Sequence, residues 1–339
     1  MERCGQRAGS AQGGGFVKRI VGCALLCAGL GLGCVQAQSD VPAVPPPPTF
    51  SGERAFEHLS QLVALGPRVA GTAQAAEARS YVRSQLQGLG FSVHEQGFRW
   101  APGPGLPELE LVNLWAEQPG LMSGLFGVAT PLDTHPDAGP GANEGGSGAA
   151  LLLELARALH ETPLTYAVRL MFLDAELLDA KTQFLGSEQA HHELDSAGTL
   201  AQLHALVYVH QVADRELEIR RDRNSDRALR DAFFDVARRE GLSAAFPRTA
   251  PFDDAKLGHG VFVGHRFPRV IVLADLRYGG PDVPGSLWRT PSDDLSACSA
   301  TSLDAAGRVV LGGLRALAAR QLEVDRAKGA ALPSEGGHP

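Results

Sequence analysis

Apolar residues along this chain recur first with the spacing of helices and then with that of strands. Over 54–65, Phe56, Leu59, Leu62 and Val63 fall on one face, and over 75–89 Ala78, Tyr81, Val82 and Leu86 do the same, so the spacing predicts two amphipathic helices. Gly66-Pro67 stops the first and Gly90 ends the second. Short strand-like runs follow at 91–98, 109–116 and 125–130. Residues 147–159, with Leu151-Leu152-Leu153, read as a helix apolar on most sides, with Ser147 as its N-cap. The run 166–173 is short and almost continuously apolar, the mark of a strand covered on both faces. Further strands are expected at 205–209 and 269–274, and helices near 225–240 and 302–319. Strands alternating with helices predict an α/β fold, a three-layer sandwich with a mostly parallel central sheet flanked by helices.

The two ends depart from this pattern. Lys18 and Arg19 precede an apolar stretch over 20–33, short for a spanning helix, and residues 1–33 read as an export signal. Gly31-Leu32-Gly33-Cys34 resembles an imperfect lipobox with Cys34 as the lipidation site, Val35-Gln36-Ala37 offers an ordinary cleavage site, and an uncleaved N-terminal anchor is the third reading. A Pro-rich linker follows over 34–49, with four consecutive Pro at 45–48. The domain is expected over 50–321, and a flexible tail over 322–339.

Composition narrows the function. The chain has 339 residues, 44% of them hydrophobic, which is ordinary for a globular protein. Its 31 basic and 38 acidic residues give a net charge of −7, and cleavage after residue 33 would leave −10, so a nucleic-acid partner is not expected. Four of the five Cys lie within the first 34 residues, which leaves Cys298 alone in the body and excludes a disulfide scaffold or zinc ribbon.

In sheets of the expected kind, ligands bind beyond the carboxyl ends of the strands. The residues falling there are Pro131, Asp133, His135 and Glu144, then Asp174 and Glu176, then His210, and finally Asp275, Trp288, Arg289, Asp293 and Asp294. Several other polar residues have plainer readings. Ser147, in the order Gly145-Gly146-Ser147-Gly148-Ala149, does not have Gly two residues away on both sides as a nucleophile elbow does. Asp253 and Asp254 fit loop caps or pocket acids, and Trp288 fits a pocket wall or a structural aromatic. His191, His192, His259 and His265 show no convergent metal spacing, and Arg220-Arg221-Asp222-Arg223 reads as a solvated loop.

Several segments, in the right order, resemble the co-catalytic zinc exopeptidases of the bacterial leucyl aminopeptidase type (the twenty-eighth metallopeptidase family) and the related glutaminyl-peptide cyclotransferases. The most specific is Pro140-Gly141-Ala142-Asn143-Glu144-Gly145-Gly146-Ser147-Gly148, similar to the family's Gly-Ala-Asn-Asp loop. Phe172-Leu173-Asp174-Ala175-Glu176 resembles the strand end carrying its paired Glu, Gly186-Ser187 its next Gly-Ser, and Trp288-Arg289-Thr290 its Trp-His-Thr. Leu65-Gly66-Pro67-Arg68 fits its N-terminal helices. The resemblance implies a zinc-exopeptidase-like sandwich, of the phosphorylase/hydrolase-like kind, from Phe50 to about Arg320.

The same resemblance implies that the metal site is altered. The five ligand positions fall on Pro131, Glu144, Leu177, His210 and Arg289, and the general-base position on Glu176. The family's Asp-Asp-His falls on Asp253-Asp254-Ala255. Catalytic zinc takes about three protein donors, and Pro131 and Leu177 offer no side-chain donor. Arg289 brings a permanent cation that cannot ligate. No metal or other cofactor is therefore expected, and Arg289 is expected to neutralise Glu144 and Glu176 where zinc would stand. Asp133, Glu144, His210, Asp254, Trp288 and Arg289 are expected to line the pocket. Two function classes follow. One is a non-catalytic relative, exported to the periplasm, the outer membrane or the exterior, that binds a peptide N-terminus or small ligand and meets a membrane only through Cys34. The other is an active zinc aminopeptidase or glutaminyl-peptide cyclotransferase using altered ligands, with Glu176 as base.

Overall fold

The structure, a computed structural model, describes residues 49–178 and 184–329. The expected export signal, Cys34 and all of the Pro-rich linker but Thr49 lie outside the described residues.

Two helices open the described chain, α1 (Gly52–Ala64) and α2 (Ala73–Gly88). Each has the cap its sequence offers: Ser51 accepts from the Arg54 N–H and Thr72 from the Ala75 N–H. Strands β1 (Val93–Trp100), β2 (Leu109–Gln118) and β3 (Met122–Pro131) follow, then helix α3 (Gly148–Glu161) and strand β4 (Tyr166–Leu173). Helix α4 (Leu185–Ser196) leads to β5 (Leu203–His210), helices α5 (Arg227–Arg239) and α6 (His259–Gly264) to β6 (Val270–Ala274), and α7 (Ala300–Ala327) closes the fold.

The six strands form one sheet in the order β1-β2-β4-β3-β5-β6. β1 and β2 are antiparallel, as are β2 and β4, while β4, β3, β5 and β6 run parallel to one another. The period-two rule divides the central strands between two cores. Tyr166, Val168, Leu170 and Phe172 of β4 join Phe126, Val128, Val207 and Val209 under the helices α1, α2, α3, α5 and α7. Met171, Leu173, Leu203, Leu206 and Tyr208 face α4 and α6 instead. Burial on both faces is why these strands read as continuous apolar runs.

Three local expectations change. Helices α4 and α6 carry no clear apolar stripe; α4 buries Gly186, Ser187, Ala190 and His191 with only one large apolar residue, Leu194. The helix expected at 225–240 starts at Arg227, because Asp226 caps it through the Leu229 N–H while Ser225 accepts from the Val272 N–H. The last helix begins earlier and ends later than 302–319. Ser299 caps it, and residues 322–327, expected in a loose tail, remain helical because Asp325 accepts from the Tyr166 hydroxyl at 2.6 Å and from Gln321.

Glycines in helices separate packing from propensity. At Gly313 a Cβ would sit 2.4 Å from the Phe233 ring, whereas at exposed Gly88 it would meet nothing within 4 Å. Gly313→Ala is expected to lower stability by ~1–3 kcal/mol through overpacking. Gly88→Ala should raise it by roughly 0.5 kcal/mol through lost unfolded-chain freedom. Urea unfolding of the two variants checks the opposite signs.

Candidate functional site

The carboxyl ends of β3, β4, β5 and β6 open on one side of the sheet, and the loops following them meet there. After β3, the loop carrying Gly141-Ala142-Asn143-Glu144-Gly145 makes a tight turn rather than a regular helix start. Glu144 has ψ 111° and Gly145 φ 82°. A Cβ at Gly145 would stand 2.0 Å from the Asp133 carbonyl oxygen, so this position requires glycine on both counts. Ser147 is not an N-cap here. Its backbone is already helical, and its hydroxyl donates to the Asn143 carbonyl and accepts from the Val212 N–H, tying the loop to the end of β5.

Three buried charged side chains fix these loops through the main chain. Asp293 accepts from the N–H groups of Asn143 (2.7 Å) and Glu144 (3.0 Å) and from the Tyr278 hydroxyl (2.8 Å). Asp133 accepts from the N–H groups of Glu176 (3.0 Å) and Leu177 (2.9 Å). Arg68, fully buried, donates to the carbonyls of Pro140 (2.8 Å) and Gly141 (2.7 Å), and more distantly to that of Leu132. Burial lowers the Arg68 guanidinium to about 10, and raises Asp293 to about 6 and Asp133 well above the usual carboxylate range. Arg68 matched an N-terminal helix segment in sequence; nothing in that pattern shows that it reaches across to the Gly-rich loop.

A cavity of about 320 Å³ lies at this mouth. Its apolar wall includes Leu177, Phe184, Leu257, Leu276, Pro284 and Trp288. Glu144, His210, Gln211, Asp254, Lys256 and Arg289 supply its polar lining. Glu144 is fully buried; its Oε1 accepts from Arg289 Nε at 3.3 Å and its Oε2 meets no hydrogen-bond partner among the described residues. Burial raises the Glu144 carboxyl to about 7, against the lowering effect of the Arg289 charge. Arg289 lies over the Trp288 ring, 4.2 Å from its centroid. Burial, with Arg289 close by, holds the His210 imidazole down to about 3, so it is neutral; its Nε2 has no partner.

Two expected site residues are elsewhere. Asp133 is not part of the cavity wall; its carboxylate turns under the β4 end and caps the main chain. Glu176, expected at the general-base position, is also absent from the wall. It is fully buried, with Oε1 accepting from the Ser187 N–H (2.7 Å) and Oε2 from the Ser187 (2.8 Å) and Tyr208 (2.6 Å) hydroxyls. A Cβ on Gly258 would stand 2.2 Å from that second oxygen. Arg289 accordingly pairs with Glu144 and not with Glu176, correcting half of the expected charge exchange. Asp254 does line the cavity, where it accepts from Asn224 Nδ2, and Asp253 forms a two-pronged ion pair with Arg277.

The donors do not fit zinc. Of the positions that the resemblance assigns to ligands, Pro131 and Leu177 have no side-chain donor to give, Arg289 is a cation, and Glu144 and His210 remain. Among the described residues, no group of three or more His, Cys, Asp or Glu is placed to hold a metal ion. Sequence reasoning missed Gln211, which follows His210, lines the cavity and leaves its buried Nε2 without a partner. Gln211 (φ 50°), Phe184 (φ 70°) and Arg289 (φ 53°) all hold left-handed backbone conformations rare for residues with side chains.

Residues 128–313 match the sequence profile of peptidase family M28. Leupeptin-inactivating enzyme 1 of Streptomyces exfoliatus is 32% identical over 149 residues, covering 41% of this chain. The chain spans 31% of the length of that curated relative. Among solved structures, a glutaminyl cyclase from an Acidobacteriales bacterium superimposes with TM-score 0.74 at 28% identity, covering 82% of this chain and 98% of its own. A Zn-dependent exopeptidase from Parabacteroides distasonis gives TM-score 0.71 at 21% identity, over 80% of this chain and 99% of its own, a likeness that bears on the fold.

Two variants test the buried acids. Asp293→Ala strands the N–H groups of Asn143 and Glu144 and the Tyr278 hydroxyl, and should cost ~3 kcal/mol or more in urea unfolding. Burial raises Glu176 from its ordinary 4.5 to about 7 in the folded chain, so the unfolded chain sheds this proton first as pH rises. Its contribution is therefore undiminished below about 4.5 and is lost progressively up to about 7. Glu176→Gln should remove that loss, adding on the order of 3 kcal/mol at pH 8 relative to pH 4. Unfolding curves of both proteins at the two pH values check the sign.

Proposed function

Since the chain belongs to peptidase family M28, we propose that it is a member without hydrolytic or acyl-transfer activity, whose cavity binds a peptide N-terminus or a small ligand. The observation carrying this reading is the Arg289–Glu144 pair. A guanidinium sits on the buried carboxylate that faces the cavity, at the position that the resemblance matches to the family's final His ligand. A base must come within hydrogen-bond reach of the proton it takes, directly or through one water. Glu176 faces two hydroxyls and an amide N–H instead. Without a metal, nothing at the site lowers the pKa of a water to about 7, and no other buried acid lies in the cavity beside Glu144. The competing reading, a zinc aminopeptidase or glutaminyl-peptide cyclotransferase with altered ligands, would need Glu176 to leave three hydrogen bonds and Arg289 to leave Glu144.

The protein is further proposed to be exported, either tethered through lipid on Cys34 in the periplasm or outer membrane or released by cleavage near Ala37. Support comes from Lys18-Arg19 and the apolar run behind them. The acidic charge balance favours no nucleic-acid partner. Among the described residues, no helix is long and apolar enough to cross a membrane.

Metal analysis of the purified chain is expected to find no stoichiometric zinc after zinc loading and desalting, with no turnover of an aminoacyl anilide or an N-terminal Gln peptide. Arg289→His should leave the zinc content unchanged, since Pro131 and Leu177 still give no donor. Stoichiometric zinc with chelator-sensitive turnover in the unaltered protein would overturn the proposal.

A further inference from the structure

The cavity holds more hydrogen-bond donors than acceptors to meet them. Arg289 directs its Nε to Glu144, and no acceptor among the described residues meets its two terminal nitrogens. The Trp288 ring lies against the guanidinium, with its centroid 4.2 Å from the Arg289 guanidinium carbon. Those two nitrogens form the edge that grips a carboxylate with two parallel bonds. Gln211 Nε2 is a second donor without a partner, on a residue only 2% exposed. A buried amide N–H left unpaired is costly, and such groups are usually satisfied by a bound partner.

The backbone supports the same conclusion. Gln211 and Arg289, the two residues that supply these donors, are both held at positive φ, 50° and 53°. Conformations of that kind are strained and persist where surrounding structure imposes them, often at ligand clamps. The acids of the lining are already engaged, Glu144 by Arg289 and Asp254 by Asn224, while Lys256 adds an exposed positive charge. The formal charges of the lining balance, Glu144 and Asp254 against Arg289 and Lys256, so the preference for an anion comes from the unmet donors on Arg289 and Gln211.

Resting on the reading of this site as a binding pocket, we infer that its ligand is a small organic carboxylate bearing a single apolar group, seated on the Arg289 fork and the Gln211 side-chain amide. The apolar group packs against Leu177, Phe184, Leu257 and Leu276. A hydroxyl beside the carboxylate, able to donate and accept, satisfies Glu144 Oε2 and His210 Nε2, the two remaining polar atoms without partners.

Calorimetric titration of the full chain with three matched probes tests this inference. Phenyllactate carries the carboxylate, phenyllactamide replaces it with a neutral amide, and the corresponding aminoalcohol replaces it with a cation. Phenyllactate is expected to bind at least about tenfold tighter than the amide, and the aminoalcohol not at all. Arg289→Gln should weaken phenyllactate roughly 10- to 100-fold, and Gln211→Leu about tenfold, with circular dichroism confirming that each variant is folded. Equal binding of amide and acid, or preference for the aminoalcohol, overturns the carboxylate seat and leaves the pocket a binding site of another class. Failure of all three probes also overturns this inference, whereas the non-catalytic reading falls only to zinc and turnover.

Discussion

The mouth of the sheet depends on charged side chains that bind main chain rather than one another. Asp293, Asp133 and Arg68 are all nearly or fully buried, and a lone ion there would be driven to its neutral form. Each is instead surrounded by peptide groups of the opposite polarity. Asp293 and Asp133 collect N–H groups at the entry to α3 and after β4, and Arg68 collects carbonyls from the turn before Gly145. Charge-assisted bonds of this kind are short and strong. They set where Glu144 and Leu177 sit relative to β5, and therefore the shape of the cavity.

With that frame fixed, the remaining acids sort by what they face. Glu176 lies on the core side of its loop against Ser187 and Tyr208, where hydroxyls and an amide N–H hold it. Glu144 points the other way, into the cavity, where Arg289 meets it. Two carboxyl groups raised to the same value, about 7, thus have different prospects. One is enclosed and structural, and the other meets whatever enters. The cation that partners it lies over an indole, 4.2 Å from the Trp288 ring centroid.

A frame of this kind is compatible with chemistry that has changed. The caps formed by Asp133 and Asp293 do not involve the side chains at Pro131, Leu177 or Arg289. The frame that holds the loops is therefore separate from the side chains at those positions, which fits a chain that has the fold of zinc exopeptidases and glutaminyl cyclases with a different set of side chains at the mouth of the sheet.

The sequence by itself determined the layered α/β architecture, because continuous apolar runs on strands and stripes on helices follow from burial on two faces or one. It also determined the side chains at the positions the resemblance assigns to metal ligands, where proline and leucine carry no side-chain donor and arginine a permanent cation. Direction was what it left open. Whether Glu176 faces the cavity or the core, whether Arg289 meets one acid or two, and that Arg68 reaches the Gly-rich loop depend on rotamers and on loops brought together from distant parts of the chain. Gln211 has no spacing signal at all; its place in the cavity comes from a left-handed backbone turn after β5. Helix α4 was hidden for a related reason, because it packs small and polar residues against the sheet, and only the tertiary structure gives them a buried face.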